Sequence, residues 1–207
     1  MLIHPQWTVD WNARFRAGDT PWEDKTPSDT LIALASKYLA LPCRLLDVGC
    51  GLGTNALHFA SLGYSVTGID ISADAIRQAR EAARKLKLAI DFETEDFLSD
   101  DFNAPQIDAA VDRGCLHTFS TSAGQRAFVC KMAEVLPPHG IWIDISGSAE
   151  NGEHLTLIQE RGLPRLAETD LLRSTEIAFE VLELSRCVYG QEEPNRFLAW
   201  AAVFRRH

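Results

Sequence analysis

The chain has 207 residues, 46% hydrophobic and 24% charged, which is enough apolar material for a sizeable core under an ordinary globular surface. A formal net charge of −9 and a pI near 5.1 exclude a surface dominated by Lys and Arg, so nucleic acid is not an expected partner. No run approaches the roughly 18 apolar residues of a membrane span, Met1 to Trp7 lacks the pattern of a secretory signal, and five widely spaced cysteines with no Cys-x-x-Cys pair suit a reducing cytoplasm rather than a disulfide framework or zinc ribbon.

The first forty residues differ from the rest. Trp7, Trp11 and Trp22 stand among the turn formers Gly18, Pro21 and Pro27, the mark of a segment that packs onto something. Residues 1–40 are therefore read as a lid segment on a core of 41–207, the whole forming one domain. Within the lid, Ser28 to Leu39 reads as a helix with Ser28 as N-cap and Leu31, Leu34, Ala35 and Tyr38 on one face. From Cys43 the pattern is regular. Arg44 to Val48 reads as a buried strand, Gly49 to Gly53 as a turn, and Thr54 to Leu62 as a helix capped by Thr54 and stopped by Gly63. Tyr64 to Asp70 is a second strand. Ser72 then caps a long helix with Ile76, Ala79, Ala83 and Leu86 on one face.

Ala89 to Thr94 alternates as a strand does, and Ile107 to Asp112 is a fourth strand. Ser122 to Leu136 is a helix opening on a capping box, Ser-Ala-Gly-Gln, and ended by Pro137-Pro138. Ile141 to Ser146 is a fifth strand. A short helix is expected near Asp170 to Arg173. Two β-rich runs follow, Glu176 to Tyr189 and Arg196 to Phe204. Their link, Gly190 to Asn195, is too short for a helical crossover, so they form an antiparallel hairpin. The expected fold is α/β: a Rossmann-like, doubly wound, seven-stranded sheet, mostly parallel, ending in that hairpin.

The central signal is Leu45-Leu46-Asp47-Val48-Gly49-Cys50-Gly51-Leu52-Gly53-Thr54. Glycines there let the chain turn sharply at the carboxyl end of the first strand and bring backbone against a ligand. Three acids fall on the same sheet edge. Asp70 ends the second strand, where a carboxylate can accept from ribose hydroxyls. Asp96-Phe97 follows the third, where an acid and a ring suit an adenine. Asp112 ends the fourth. Gly51-Leu52-Gly53-Thr54-Asn55-Ala56 also matches G-x-G-x-x-A, a dinucleotide fingerprint, but shifted by two residues from the strand. An acid just before the glycines suits an ammonium better than a pyrophosphate.

These segments resemble the motifs of the class I methyltransferases that use S-adenosylmethionine (SAM), over roughly Cys43 to Phe204. Asp47, Gly49, Cys50, Gly51, Gly53 and Asn55 are similar to the family's first motif. Asp70 and Ile71 are similar to the second, Asp96 and Phe97 to the adenine segment, and Asp112 to the fourth. The resemblance implies SAM as cofactor and these residues as its binding set. Trp11 to Glu23 is similar to the N-terminal segment of the thiopurine S-methyltransferase, thiol and halide, and tellurite-resistance methyltransferases, which folds over the donor. Trp22 is the aromatic expected to touch it.

The implied activity is methyl transfer to a small molecule, with a thiol or other soft chalcogen as the leading acceptor. An oxygen or nitrogen nucleophile, or SAM binding without turnover, stays open. Beside the expected transfer point, His117 is a candidate general base and Arg113 a candidate holder of an anionic acceptor. Gly147 to Leu166, with Glu150, Glu153, His154, Glu160 and Arg165, is expected to contribute to the acceptor pocket. The six scattered histidines show no metal-ligand spacing, so no metal is expected.

Overall fold

The computed structural model describes residues 9–150, 165–190 and 197–207. Seven strands build one sheet. In chain order they are β1 (Arg44–Val48), β2 (Ser65–Asp70), β3 (Asp91–Thr94), β4 (Ala109–Arg113), β5 (Ile141–Gly147), β6 (Phe179–Val188) and β7 (Leu198–Arg206). They lie in the spatial order β3-β2-β1-β4-β5-β7-β6. The first five pair in parallel, β7 runs antiparallel to β5, and β6 runs antiparallel to β7. The seven-stranded, mostly parallel sheet with its antiparallel hairpin is thus as expected. The link 191–196 and the chain from 151 to 164, where Glu153, His154 and Glu160 fall, lie outside the described residues, as does Trp7.

The central strands are apolar because helices cover both faces. Leu45 and Leu46 are adjacent in β1, both essentially unexposed, and enter different cores, as the two-residue period of a strand requires. One core gathers Leu31, Phe59, Ile76 and Val203 from α2 (Asp29–Tyr38), α3 (Thr54–Ser61), α4 (Ala73–Leu86) and β7. The other gathers Leu46, Phe128, Met132, Leu171 and Trp142, using α5 (Ser122–Val135) and α6 (Glu168–Thr175). β1 has β2 on one side and β4 on the other, so the chain leaves it in both directions and a crevice opens at its carboxyl end.

Several boundaries differ from the reading above. Residues Trp11–Ala17 form a helix, α1, capped by Asp10, which accepts from Ala13 N. Seven residues are too few for its periodicity to stand out. Thr54 does not cap α3; Gly53 occupies that place without a side chain, and the Thr54 hydroxyl donates to Asp24 O at 3.3 Å. Thr121, not Ser122, caps α5, accepting from Gly124 N. Ser28 and Ser72 cap α2 and α4 as expected. Among the described residues, no helix is long and apolar enough to cross a membrane.

The N-terminal segment is fastened to α4. Arg16 ion-pairs with Asp74 at 2.8 Å. Asn12 Oδ1 accepts from the Ser72 hydroxyl and from Asp74 N. These ties lay α1 and the turn after it over the carboxyl edge of β1 and β2.

Candidate active site

A cavity of about 1080 Å³, mouth included, lies between that edge and the N-terminal segment. Gly51 makes its floor possible. Its φ is +55°, a conformation that L side chains rarely adopt, and a Cβ there would meet Glu23 Oε1 at 2.1 Å and displace that carboxyl. Gly53 serves a different purpose. A Cβ there would meet the Phe92 ring at 2.7 Å, and Gly53 does not line the cavity. Its lack of a side chain lets α3 approach the sheet.

Of the predicted residues, Trp22, Asp47, Gly49, Cys50, Gly51, Asn55, Asp70, Ile71, Asp96, Phe97 and Arg113 all line this one cavity. Asp70 is held by two backbone donors, Gly51 N at 2.9 Å and Ser72 N at 2.8 Å. Burial still raises its carboxyl above the usual range, against the pull of those two bonds. Asp47 is 2% exposed, and its Oδ2 has no hydrogen-bond partner. Burial, then the charges of Asp112 and Glu23, push it up to about 7. Asp96 accepts from Leu98 N. The Phe97 ring is wedged against Phe128, with centroids 4.9 Å apart. The Cys50 thiol is raised well above its ordinary value by burial and by nearby carboxylates, so it is unsuited to be a nucleophile.

The N-terminal side of the cavity holds more than Trp22. Trp11 and Phe15 set their rings edge-on to Trp22 at 5.4 and 6.0 Å, and Arg14 lies over its face at 4.3 Å. Glu23 reaches the glycine loop and accepts from Leu52 N. Burial, then Asp70, push its carboxyl up to about 7. Tyr189, from the hairpin, also lines the cavity. Its ring stacks on Phe197 at 4.8 Å, and its hydroxyl donates to Arg113 O. Glu23 stands beside the flagged Trp22, but nothing in its sequence neighbourhood shows that its side chain turns inward. Tyr189 is distant in sequence from every motif.

Three predicted residues are engaged elsewhere in the fold. Arg113 ion-pairs with Asp24, and both side chains are nearly buried. It also donates to Trp22 O at 3.2 Å and to Tyr189 O at 3.3 Å, and stacks on the Tyr189 ring at 4.1 Å. The guanidinium fastens the N-terminal segment to β4 and the hairpin. Asp112 is fully buried and does not line the cavity. It accepts from Cys115 N, Leu116 N and Trp142 Nε1. Its neighbour Asp144 accepts from Ser146 and has an Oδ2 with no donor. Burial raises both acids, and a proton carried by Asp144 and hydrogen-bonded to Asp112 satisfies the pair. Asp112 is therefore a brace for the loop after β4.

His117 is the third. It is buried, and its Nδ1 accepts from Gly147 N at 2.7 Å. That bond fixes the tautomer with the proton on Nε2, leaving neither nitrogen a free lone pair. Burial, helped by the charges of Arg165 and Arg113, depresses it to about 3. A neutral imidazole so placed joins β5 to the loop after β4 and is a poor base. Among the described residues, no cluster of three or more His, Cys, Asp or Glu side chains is placed to hold a metal.

Residues 45–140 match a family model described as a methyltransferase domain. An uncharacterized methyltransferase of Schizosaccharomyces pombe is 38% identical over 78 residues, 38% of this chain and 54% of that protein. The Arabidopsis thaliana protein "Probable thiol methyltransferase 2" is 33% identical over 92 residues, 44% of this chain and 39% of that protein. The matches thus span about half the length of these curated relatives, or less. A SAM-dependent methyltransferase structure from Methanosarcina mazei superposes with a TM-score of 0.74 at 24% identity, covering 84% of this chain and 96% of that one. The matched stretch carries β1 to β4, so residues 45–140 resemble a methyltransferase domain, and the fold shared with the Methanosarcina mazei structure extends to the hairpin.

Proposed function

We propose that the protein transfers a methyl group from SAM to a small molecule whose nucleophile is a thiol or another soft chalcogen. Residues 1–40 serve as a lid on one domain, and 41–207 as the core that binds the donor. The observation that carries the donor half is Asp47 Oδ2, a buried carboxylate oxygen without a partner in a cavity it shares with Glu23 and Asp70. Such a site fits a ligand with fixed positive charge and repels a pyrophosphate. The residues present therefore fit SAM and argue against a dinucleotide.

In this reading Asp70 holds the ribose hydroxyls, because each of its oxygens retains acceptor capacity beyond its one backbone donor. Asp96 and Phe97 hold the adenine. Asp47 and the loop of Gly49 to Gly51 hold the methionine end. Trp22 and its aromatic neighbours exclude water from the reacting centre. When bound, SAM supplies a methyl group on a cationic sulfur, an electrophile that needs no further activation.

The acceptor half rests on His117, the base candidate read from the sequence beside the transfer point. His117, with its Nδ1 committed to Gly147 N, is not available to deprotonate an alcohol or an ammonium. A thiol, with an ordinary pKa near 8.5, brings a few per cent of thiolate of its own at neutral pH. The thiol methyltransferase relative supports this choice. The test is calorimetry with SAM, S-adenosylhomocysteine (SAH) and NAD, followed by methylation assays over thiols and chalcogen oxyanions. Micromolar binding of the adenosyl ligands without NAD, and turnover that tracks the thiolate fraction of the acceptor, is the expected result. NAD binding alone overturns the donor assignment, and turnover of alcohols or amines only overturns the acceptor.

A further inference from the structure

The charge on the cavity wall is one-sided. Glu23 and Asp24 come from the lid, Asp47 from β1, Asp70 from the end of β2, and Glu95 and Asp96 from the segment after β3. Among the described lining residues Arg113 is the one Lys or Arg, and it is bound to Asp24 and stacked on Tyr189. Glu23 is the acid that the lid itself delivers to the glycine loop. Its Oε1 sits where a Gly51 side chain would be. It faces Asp70 and Asp47 from the strands, Arg113 from β4, Asp24 from its own segment and the N–H of Leu52.

A carboxyl group suits the bare cavity badly. With Asp47 and Asp70 close by, Glu23 and Asp47 both titrate near 7. A glutamine at 23 keeps a side-chain oxygen for the Leu52 N–H and removes the repulsion. The carboxylate gains its advantage only when a cation arrives. SAM and SAH both carry the methionine ammonium, which Asp47 takes in this reading, and they differ by the methyl and the positive charge it places on sulfur, which makes SAM one unit more positive.

Building on the methyl-transfer reading above, we propose that Glu23 is the residue with which the lid tells donor from product. Its carboxylate favours the sulfonium of SAM over the neutral thioether of SAH, and so favours replacement of spent cofactor by fresh. Three consequences follow from charge alone. SAM binding expels protons from the cavity, SAM affinity rises with pH through neutrality, and SAH affinity changes little.

The experiment is calorimetry of the full chain and of Glu23→Gln with SAM and with SAH, at pH 6 and pH 8, in buffers of different ionisation enthalpy. For the unsubstituted protein, SAM affinity is expected to rise about fivefold from pH 6 to 8, within the roughly tenfold that one proton titrating near 7 allows, and SAH affinity less than about twofold. Glu23→Gln should cost about tenfold in SAM affinity at pH 8, leave SAH nearly unchanged and release fewer protons. Equal loss for both ligands makes Glu23 a strut of the lid and overturns the proposal; no loss for either does the same. Asn12→Ala unfastens the lid from Ser72 and Asp74 outside the cavity, removes no charge and should weaken both ligands alike. A selective loss of SAM there would assign discrimination to closure and also overturn it. Failure of both adenosyl ligands to bind the unsubstituted protein removes the cofactor reading itself, an outcome distinct from all of these.

Discussion

The two walls of the cavity are built by different means. The strand wall is backbone work: Gly51 N and Ser72 N grip Asp70, and Cys50 N bonds to Ile69 O at 2.9 Å. Its residues are parts of the sheet's own edge. The N-terminal wall is side-chain work. Arg113 holds Asp24, Arg16 holds Asp74, Asn12 caps onto Ser72 and Asp74, and Asn55 accepts from Ser28 N. The first wall is as stable as the fold, whereas each tie of the second can be removed alone. The fold thus separates a preformed cradle from a cover whose grip is set by a few charges.

The sharpest way to break this contrast is Asp70→Ala. The substitution leaves two backbone N–H groups unpaired and removes the acceptor for two hydroxyls. At about 2 kcal/mol for each hydrogen bond to a charged group, affinity for both SAM and SAH should fall roughly a thousandfold by calorimetry. Retained affinity would show that the ligand sits elsewhere. Next comes Arg113→Met. Removing the guanidinium from the nearly buried Asp24 should lower unfolding free energy by about 3 kcal/mol, as read by urea denaturation, and should weaken both adenosyl ligands together. A loss of acceptor KM alone, with stability intact, would restore Arg113 to the substrate.

The strand wall was the legible one. Asp47, Gly51, Asp70 and Asp96 can be placed on the cavity from the sequence because the strand end that positions each is a few residues away. The surroundings of Gly53, Asp112 and Arg113 cannot, for the opposite reason. Their partners are Phe92, Trp142 and Asp24, brought near by the sheet from tens of residues away. The caps slipped by one residue because Thr54 and Ser122 each adjoin a second acceptable N-cap residue, Gly53 and Thr121. Glu23 was missed since a glutamate in a polar turn carries no sign of burial, and only the packed lid gives it one.

A smaller effect sharpens the contrast through pH. Glu23 and Asp47 titrate near 7 when folded and near 4 when unfolded. The folded chain therefore holds more protons than the unfolded chain between those values. Stability falls as pH rises through that window. From pH 6.5 to 8 the ligand-free protein should lose about 1 kcal/mol, seen as a lower Tm, with SAM cancelling the loss. In Glu23→Gln the slope should be about halved. A flat profile in the unsubstituted protein would mean that the two carboxylates are better solvated than their burial implies.

The smallest expected effect is on catalysis by His117→Gln. The amide oxygen of glutamine can accept from Gly147 N as the imidazole does, and no proton transfer depends on it in this reading. The profile of kcat/KM around neutrality should keep its shape, with a change below about threefold, since loss of a true base costs about a hundredfold or more. Stability gives the complementary signal. Folded His117 takes up its proton near 3 and unfolded histidine near 6.5. The unfolded chain thus binds more protons between those values, and stability falls as pH drops below about 6.5. The glutamine variant should lose part of this acid sensitivity while keeping its activity. If instead it loses turnover at neutral pH and activity returns with added imidazole, then Nε2 takes the acceptor's proton after all, and the preference for a thiol falls with it.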